Sequence, residues 1–366
     1  MKFICERESI IKEISISHEI ISERNTLSIL SNVLLENTDN TLSIRATDLK
    51  VSFVSRIPVE TVTPGSTTVL CDKLLGVLRS LPEGEISFDV QEDRMVISPV
   101  RQKKINFRLR CIDARDYPEF KSPGKESFTI AQKTFVEMID QTIFAVSDDE
   151  TRYYMNGVYM EPSEQGMTMV STDGRRLSYI SRNVERGVPV FQPIIIPTKF
   201  LHLIRKLSSK EGEISLGISD SYLFAEFDAH HLSSTLIEGQ FPNYRRVIPD
   251  EHEFSCVMST KDINEALKRV SLLIDHHSKK LFMDINADSI VFSSEESEIG
   301  NAKEEISCSY TGEPVRMYMN FSYLMSPVRV MESEQVSINF TDPAKAVTVR
   351  PVPEIDYFHV IMPMQS

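Results

Sequence analysis

The run Phe3-Ile4-Cys5 opens a short apolar segment that leads directly into a helical pattern. The chain repeats this arrangement at Phe128-Thr129-Ile130 and at Phe254-Ser255-Cys256, with spacings of 125 and 126 residues. Internal repeats of this kind set the architecture of a protein. The period is far longer than a solenoid unit, so we expect each copy to be a domain with its own core.

A second marker keeps nearly the same period. Glu85-Ile86-Ser87, Glu213-Ile214-Ser215 and Gln335-Val336-Ser337 lie 128 and 122 residues apart. Two independent markers with one period make chance a poor explanation. The sequence therefore predicts three similar domains, with bounds at residues 1–122, 123–250 and 251–366.

Each copy combines helical periodicity with strand-like runs. The predicted helices are residues 6–22, 72–81, 131–147, 198–210, 259–274 and 321–331. The strand-like runs between them include residues 26–36 and 153–161, and turn signals such as Pro64-Gly65-Ser66 separate them. Two helices per domain among antiparallel strands indicate an α+β fold class.

The bulk composition excludes several classes of protein. The five cysteines are scattered without any Cys-x-x-Cys pair, which argues against a disulfide framework or a zinc site and fits a reducing cytosol. Neither a signal peptide nor a membrane-spanning stretch is evident, so we expect a cytoplasmic protein without a membrane partner. The net charge of −13 argues against nucleic acid as a partner, unless a local basic surface lies within an acidic molecule.

One predicted helix carries an unusual charge pattern. Residues 198–210 contain the bases Lys199, Arg205, Lys206 and Lys210 and no acidic residue, opposite an apolar stripe. A basic face of this kind is either a solvated surface or a site for a polyanion, and the helix alone does not decide between them.

Two further charged runs have opposite signs. Residues 101–110 hold five bases and no acid, whereas residues 295–305 hold five glutamates against Lys303. Opposite charges in the first and third copies favour a head-to-tail contact between subunits, which closes into a ring if the rotation permits. The alternative is two unrelated solubilising edges.

No catalytic constellation is present. The sequence has no Gly-x-Ser-x-Gly, no P-loop and no His-Glu-x-x-His. The adjacent pairs His230-His231 and His276-His277 point to opposite faces of a strand, so they are poorly placed to share a metal ion. We therefore expect neither an enzyme, nor a metal site, nor a cofactor.

At this point several motifs match a known family. The sequence resembles the bacterial DNA polymerase III β subunits, the sliding clamps, over all 366 residues. The motifs that carry the resemblance are the opening Met1-Lys2-Phe3, Arg24 before Thr26-Leu27-Ser28-Ile29-Leu30, Arg152-Tyr153-Tyr154-Met155-Asn156-Gly157, Thr172-Asp173-Gly174-Arg175-Arg176-Leu177, Phe241-Pro242-Asn243-Tyr244-Arg245-Arg246-Val247 and Met362-Pro363-Met364.

The resemblance implies a homodimeric ring of the DNA clamp fold, closed by head-to-tail dimerisation. Its helices would line a hole around double-stranded DNA, and its sheets would lie outside. The implied partners are the polymerase III α subunit, the clamp loader and other proteins with a clamp-binding motif. A ring that holds DNA electrostatically, without reading bases, would slide and so provide processivity.

The resemblance also implies DNA-contacting residues. They are Arg24, Lys73, Tyr153, Tyr154, Lys199, Arg205 and Lys206. The two tyrosines could stack on exposed bases. Asp72 and Asp149 stand where the family often has residues that touch DNA, and both would repel phosphate.

A partner-peptide pocket is implied as well. Its residues would be Met155, Thr172, Gly174, Arg175, Arg176, Leu177, Pro242, Arg246, Val247, Asn320, Tyr323, Ala344, Ala346, Val360, Met362, Pro363 and Met364. Flexible methionines suit a groove that serves several partners. Arg175 and the Gln365-Ser366 ending depart from the family pattern and would retune the accepted peptide.

The dimer contact is implied to join the first domain to the third. Its apolar centre would be Phe107, Leu109, Leu272 and Leu273, and its charged rim would be Lys103, Lys104, Glu298 and Glu304. Two other functions remain open from the residues alone. One is a repeat-built peptide-binding hub that never meets DNA, and the other is a hydrolase with a dispersed site.

Overall fold

The computed structural model describes residues 1–21, 28–102, 104–122, 127–219 and 221–365. These residues form six α-helices, two in each predicted copy: α1 (Arg7–Ile20), α2 (Cys71–Ser80), α3 (Gln132–Asp140), α4 (Thr198–Leu207), α5 (Thr260–Val270) and α6 (Phe321–Val330). Short 3-10 helices cover Ser28–Ser31, Ala114–Asp116, Ile143–Ala145, Glu150–Met155, Tyr244–Val247 and Ser271–Leu273.

The strands of the first two copies come in chain order as follows. They are β1 (Lys2–Glu6), β2 (Asn32–Thr38), β3 (Thr41–Thr47), β4 (Val51–Pro58), β5 (Glu60–Thr63), β6 (Gly65–Leu70), β7 (Glu85–Gln91), β8 (Arg94–Pro99), β9 (Phe107–Ile112), β10 (Ser127–Ala131), β11 (Gly157–Pro162), β12 (Gly166–Thr172), β13 (Arg176–Asn183), β14 (Ile194–Pro197), β15 (Glu213–Ile218), β16 (Tyr222–Phe227) and β17 (His230–Thr235).

The third copy adds eight strands. They are β18 (Phe254–Ser259), β19 (Lys280–Ile285), β20 (Ser289–Ser294), β21 (Lys303–Tyr310), β22 (Val315–Asn320), β23 (Gln335–Phe340), β24 (Val347–Val352) and β25 (Tyr357–Ile361). Helices combined with antiparallel strand pairs, such as β3 with β4 and β12 with β13, confirm the predicted α+β class.

The chain divides into two compact units, and each contains one extended sheet. The first unit, Met1–Gln132 with Glu211–Thr235, holds a 13-stranded sheet in the order β10-β15-β16-β17-β4-β3-β2-β6-β9-β8-β7-β1-β5. The second, Lys133–Lys210 with Leu236–Ser366, holds a 12-stranded sheet in the order β14-β11-β12-β13-β25-β24-β23-β18-β21-β20-β19-β22. The division passes through the central predicted copy, because β10 and β15 to β17 belong to the first sheet.

The helices bury one face against their own unit. In the first unit α1 and α2 pack on each other, and their buried residues join a core that includes the stacked rings of Phe3 and Phe88, 4.6 Å apart. On α4, Phe200, Leu203 and Ile204 are buried, as the apolar stripe predicts, while Arg205 and Lys206 are exposed. The period of the apolar residues therefore decides which helix face carries the charge.

Three of the predicted elements are wrong in part. Residues 153–155, predicted as strand, belong to the 3-10 helix Glu150–Met155, where the Asp149 carboxylate caps the turn by accepting a bond from the Thr151 N–H at 3.0 Å. The third helix stops at Asp140 instead of residue 147. Thr142 explains part of this, because its hydroxyl donates to the Met138 carbonyl oxygen at 2.7 Å, a local bond that competes with helix propagation.

The third error lies at residues 26–36. Residues 28–31 form a 3-10 helix, and the strand begins at Asn32. Within the first copy, the strands β5 and β9 were not predicted. In β9 the charged residues Arg108 and Arg110 alternate with Phe107 and Leu109, so the basic run concealed the period-two pattern of a half-buried strand.

Candidate functional site

A cavity of about 280 Å³ opens on the sheet of the second unit. It is formed by the 3-10 helix that ends at Met155, the turn between β12 and β13, the end of β25 and a segment that follows Phe241. The lining residues are Met155, Thr172, Gly174, Arg175, Arg176, Leu177, Pro242, Asn243, Tyr244, Val247, Val360 and Met362. Most of the lining is aliphatic, aromatic or thioether, and such a cavity suits an apolar ligand group.

The β12–β13 turn is fixed by its own side chains. The Asp173 carboxylate accepts bonds from the N–H groups of Arg175 and Arg176 at 2.9 and 3.0 Å, and the Thr172 hydroxyl accepts one from Gly174 at 3.0 Å. Gly174 has φ = 87°, which favours glycine because other residues rarely adopt this conformation. The motif Thr-Asp-Gly-Arg-Arg therefore builds one rim of the cavity with a defined backbone shape.

Arg176 ties this rim to helix α6. Its Nε donates to Asp173 Oδ2 at 3.0 Å, and its guanidinium carbon lies 4.6 Å from the ring centre of Tyr323. The side chain is 14% exposed. A guanidinium held by a carboxylate and an aromatic face is a rigid support, so Arg176 stabilises the cavity as well as lining it.

A buried histidine lies close to this arginine. His359 is 2% exposed and lies against the Phe144 ring, with centroids 5.3 Å apart. Burial, together with the neighbouring positive charge of Arg176, lowers the pKa of His359 to about 3. The imidazole is therefore neutral at physiological pH, and its other close contact is the Tyr357 hydroxyl.

The floor of the cavity belongs to a small hydrophobic cluster. Leu177 and Val360 come from β13 and β25, and they pack with Val170, Phe358 and Tyr244. Leu177 and Val360 are buried, whereas Val247 and Met362 at the mouth are 55% and 46% exposed. The cavity thus combines a fixed floor with an adaptable rim.

Another wall of the cavity is the connecting segment that carries Tyr244. Its hydroxyl donates to Glu161 Oε1 at 2.6 Å, and its ring lies edge-on to Tyr159 with centroids 6.1 Å apart. Burial, with the added effect of the Glu161 carboxylate, raises the pKa of Tyr244. The phenol is therefore a hydrogen-bond donor under ordinary conditions.

The structure gathers many of the predicted pocket residues in this cavity and leaves others outside its lining. Those outside are Arg246, Asn320, Tyr323, Ala344, Ala346, Pro363 and Met364. Two of them lie next to it: Tyr323 stacks on Arg176, and Ala346 packs against the floor cluster. The Met364 N–H donates to the Tyr318 carbonyl oxygen at 2.7 Å. Asn320 caps α6 by accepting the Ser322 N–H at 3.0 Å.

Two lining residues, Asn243 and Tyr244, were missed. Both lie within the motif 241–247. Of this motif, only Pro242, Arg246 and Val247 were predicted to line the pocket. For Tyr244 the available signal was an aromatic ring two positions after Pro242 in a connecting segment, since aromatic side chains bury much apolar area.

The residues predicted to contact DNA lie on both units. Arg24 falls outside the described residues. Lys73 is exposed on α2, 3.2 Å from the Asp72 carboxylate, while Lys199, Arg205 and Lys206 lie on α4. Tyr153 is 53% exposed and meets the half-buried Tyr154 edge-on at 5.8 Å.

Asp149 has a structural role that its sequence position did not reveal. Its carboxylate caps the 3-10 helix and accepts a bond from Arg152 Nε at 2.8 Å. Hydrogen bonds from Thr151 and then Arg152 lower the pKa of Asp149. The negative charge is thus partly neutralised within the segment that presents Tyr153 and Tyr154.

The residues predicted for the dimer contact are mostly at the surface. Lys103 falls outside the described residues, and Lys104 and Glu298 are exposed. Phe107 and Leu109 are partly buried against the first core, and Glu304 of β21 pairs with Arg269. Leu272 is 81% exposed, which is unusual for leucine, and Leu273 beside it is half-buried.

Within the described ranges, no group of three His, Cys, Asp or Glu side chains is placed to hold a metal ion. None of the helices in the described part of the chain is both long and apolar enough to span a lipid bilayer.

Comparison with known proteins identifies the family. Three family models of the DNA polymerase III beta subunit match: the N-terminal domain at residues 1–121, the central domain at 129–243 and the C-terminal domain at 245–365. The chain is 44% identical to the beta sliding clamp of Treponema pallidum and 30% identical to that of Pseudomonas putida, and each alignment covers 100% of both chains.

A solved structure agrees with the sequence matches. The sliding clamp (DNA polymerase III subunit beta) of Pseudomonas aeruginosa, in a crystal structure with griselimycin bound, superimposes with a TM-score of 0.93 at 30% identity, covering 100% of each chain. Since the matches in sequence and fold extend over the whole length, this chain belongs to the DNA polymerase III beta subunit family, the bacterial sliding clamps.

Proposed function

We propose that this protein encircles double-stranded DNA in the cytoplasm as a homodimeric ring and tethers the replicative polymerase to it. It serves as an accessory subunit that confers processivity, not as an enzyme. The observation that carries this proposal is full-length similarity to sliding clamps, in both sequence and fold. The clamp loader and other proteins with a clamp-binding motif would share the same pocket.

The three-domain division is part of the proposal. We take the domains as residues 1–122, 123–250 and 251–366. Each domain has two α-helices. Near its start, a strand leads directly into the first helix: β1 into α1, β10 into α3 and β18 into α5. Two chains would therefore supply six domains of one design, the number from which a closed ring can be built by head-to-tail contact.

The strand edges support ring closure between the first and third domains. In β9, Phe107 to Arg110 pair with β8, and the pairing with β6 involves only Cys111 and Ile112. In β21, Lys303 to Ser307 pair with β20, and the pairing with β18 begins at Cys308. Among the described residues, more than half of each strand therefore has one edge without a paired strand. A second copy of the chain could pair with these edges.

The test of ring closure is the Leu272→Asp variant. A carboxylate in an apolar contact should weaken the dimer by more than about tenfold, because it loses its hydration without gaining a partner. Analytical ultracentrifugation at micromolar concentration measures this directly. Val190→Asp is the matched control, because Val190 is 94% exposed in a connecting loop. An unchanged dimer constant in Leu272→Asp would refute the contact.

DNA binding is proposed to rest on the helices and on the tyrosine pair. The α4 helix carries Arg205 and Lys206 at its exposed C-terminal end and has no acidic residue. Lys73, Lys199, Arg24, Tyr153 and Tyr154 would add to it. Contacts of this type follow the phosphate backbone and are independent of sequence.

The experiment that separates a clamp from a peptide-binding hub is topological. The clamp loader places the protein on a nicked circular plasmid, and a restriction enzyme then cuts the DNA. A ring slides off the new ends, so we expect the bound fraction to fall after cutting and to persist when the ends are blocked by a bound protein. Retention that does not change on cutting would contradict encirclement.

The cavity of the second unit is proposed as the site that binds partner peptides. An apolar anchor would enter between Leu177, Val360 and the methionine side chains of Met155 and Met362. Griselimycin is a suitable probe, since a relative binds it. Isothermal titration calorimetry should show one griselimycin per chain, and the polymerase α subunit should compete for it. Simultaneous binding of both would assign the peptide site elsewhere.

A further inference from the structure

A buried carboxylate lies behind one wall of the cavity. Glu161, on β11, is 8% exposed and accepts three hydrogen bonds. Its Oε1 accepts the Tyr244 hydroxyl and an Arg245 guanidinium N–H, each at 2.6 Å, and its Oε2 accepts the Tyr159 hydroxyl at 3.0 Å. A carboxylate withdrawn from water requires such donors, so its position and theirs depend on one another.

Two of the three donors belong to the cavity wall. Tyr244 and Arg245 are consecutive residues at the start of the 3-10 helix Tyr244–Val247, and Tyr244 and Val247 line the cavity. The Arg245 guanidinium lies 5.2 Å from the ring centre of Tyr244. The wall is therefore joined to strand β11 by adjacent bonds to a single carboxylate.

The wall has little backbone structure of its own. It is one short turn, its cap residue Asn243 makes no side-chain hydrogen bond to it, and the Arg246 N–H donates to the Asn243 carbonyl oxygen at 3.3 Å, a long bond. Its remaining support is aromatic: Phe241 stacks on Tyr159 at 4.7 Å, and Tyr179 lies 6.2 Å from Tyr244. Stacking keeps a ring against a surface, but the ring can still slide along it. A hydrogen bond fixes the position of the ring more closely.

We infer that Glu161 is a positioning residue for the partner-peptide cavity: through Tyr244 and Arg245 it fixes the distance between the wall and the floor formed by Leu177 and Val360. This inference rests on the proposed function, because it concerns the same cavity. Glu161 is not among the cavity-lining residues. Its effect on binding therefore comes through the wall and not from contact with the lining surface.

Positioning of this kind acts on affinity through preorganisation. With Glu161 in place, the wall already has the shape that an apolar anchor requires, and binding does not have to order it. Without the carboxylate, Tyr244 and Arg245 gain alternative rotamers, and the bound state must again fix them. The loss should therefore be seen in ligand affinity even when the fold is intact.

The test is Glu161→Gln, with griselimycin binding measured by isothermal titration calorimetry at low temperature. Glutamine keeps the size of the side chain but removes the charge and one acceptor. Because binding must then order the wall again, we expect affinity to fall by about tenfold or more. Glu164→Gln is the matched control, because Glu164 is an exposed carboxylate just beyond the same strand, and it should bind as the wild type does.

A second variant separates positioning from general destabilisation. Tyr244→Phe keeps the ring and removes the hydroxyl that Glu161 accepts. If both residues act through this contact, the affinity of the double variant should be close to that of whichever single variant binds griselimycin less tightly. Additive losses, or a lower melting temperature with unchanged affinity at low temperature, would reduce Glu161 to a purely structural role and overturn the inference.

The outcomes distinguish this inference from the proposed function. If the wild-type chain binds neither griselimycin nor the polymerase α subunit, both are overturned. If the wild-type chain binds and Glu161→Gln binds within about twofold of it, the cavity keeps its proposed role and the positioning inference alone fails.

Discussion

Two connecting segments of this molecule are each anchored by the hydroxyl of a buried tyrosine, but the two hydroxyls donate to different kinds of acceptor. In the first unit, residues 113–122 are anchored by Tyr117, whose hydroxyl donates to the Asn32 carbonyl oxygen at 3.1 Å. In the second unit, residues 236–250 are anchored by Tyr244, whose hydroxyl donates to the Glu161 carboxylate at 2.6 Å. Both tyrosines are 6% exposed. A bond to a charged acceptor is shorter and stronger, so the second segment is held more firmly.

The surfaces beside the two segments also differ in composition, although not in size. The first unit has a groove of about 270 Å³, and the second has the cavity of about 280 Å³. The groove is lined by Arg45, Ser52, Val54, Arg56, Phe120, Lys121, Ser122, Phe224, Glu226, His231, Leu232 and Ser233. Volume therefore does not distinguish the proposed peptide site from the groove; the apolar lining and the fixed wall do.

The largest expected effect is the difference in griselimycin affinity between two variants, each of which places one carboxylate in one of the two surfaces. Val247→Asp introduces a carboxylate at the mouth of the apolar cavity and should weaken griselimycin binding by roughly 100-fold, because the ligand must desolvate the charge. Arg56→Asp changes the polar groove and should leave that affinity unchanged. Calorimetric titration of both variants measures the contrast.

The folding of Val247→Asp is not in question, since Val247 is half-exposed, and Val190→Asp provides the control for an added surface charge. Equal loss of affinity in Arg56→Asp and Val247→Asp would show that the groove takes part in binding and would remove the distinction between the two surfaces.

An intermediate effect should appear in the pH dependence of stability, because the two units bury their histidines differently. His230 of the first unit lies 3.3 Å from the Glu13 carboxylate. Burial tends to raise the pKa of Glu13, but the interactions with His230, Ser55 and Lys12 together outweigh it, and the pKa is lowered. His359 has no carboxylate partner among the described residues, and burial lowers its pKa to about 3 from 6.5.

The sign follows from proton binding. Below pH 6.5 the unfolded chain protonates His359 while the folded chain does not, so acid favours unfolding until the pH falls to about 3. Glu13, with its lowered pKa, contributes stability above its ordinary value of 4.5 and loses it at lower pH. The histidine therefore weakens the second unit at a higher pH than the carboxylate weakens the first.

Urea unfolding at about pH 7.5 and about pH 4.5 tests this difference. His359→Gln should reduce the pH-dependent loss of unfolding free energy by about 3 kcal/mol relative to the wild type. His276→Gln, at an exposed position, is the control and should leave the loss unchanged. Parallel pH dependence in His359→Gln and the wild type would show that the buried imidazole takes up its proton in the folded state.

The sequence was most informative where periodicity or a spaced motif carried the signal. The repeat and the apolar stripes predicted the six helices and the α+β class, and the motif 172–177 predicted one rim of the cavity. Tyr244 and Glu161 could not be paired in this way, because they lie 83 residues apart and nothing local links them. Asp149 was interpreted as a loss of DNA contact, which stays a prediction. The capping role of its carboxylate was not predicted, because part of the 3-10 helix Glu150–Met155 was itself predicted as strand.

The smallest expected effect is that of removing the Tyr117 hydroxyl, which anchors the segment of the first unit. Tyr117→Phe removes a bond to a neutral carbonyl and should lower the unfolding free energy by about 1 kcal/mol, because the ring keeps its packing against Phe120. Griselimycin affinity should not change, since Tyr117 belongs to the other unit. Tyr244→Phe should also lower the unfolding free energy, because it removes a donor from the buried Glu161 carboxylate, and unlike Tyr117→Phe it should reduce griselimycin affinity as well. Urea unfolding and calorimetry on the two variants give four numbers, and a Tyr117→Phe variant that lost affinity would mean that the two segments act on one site.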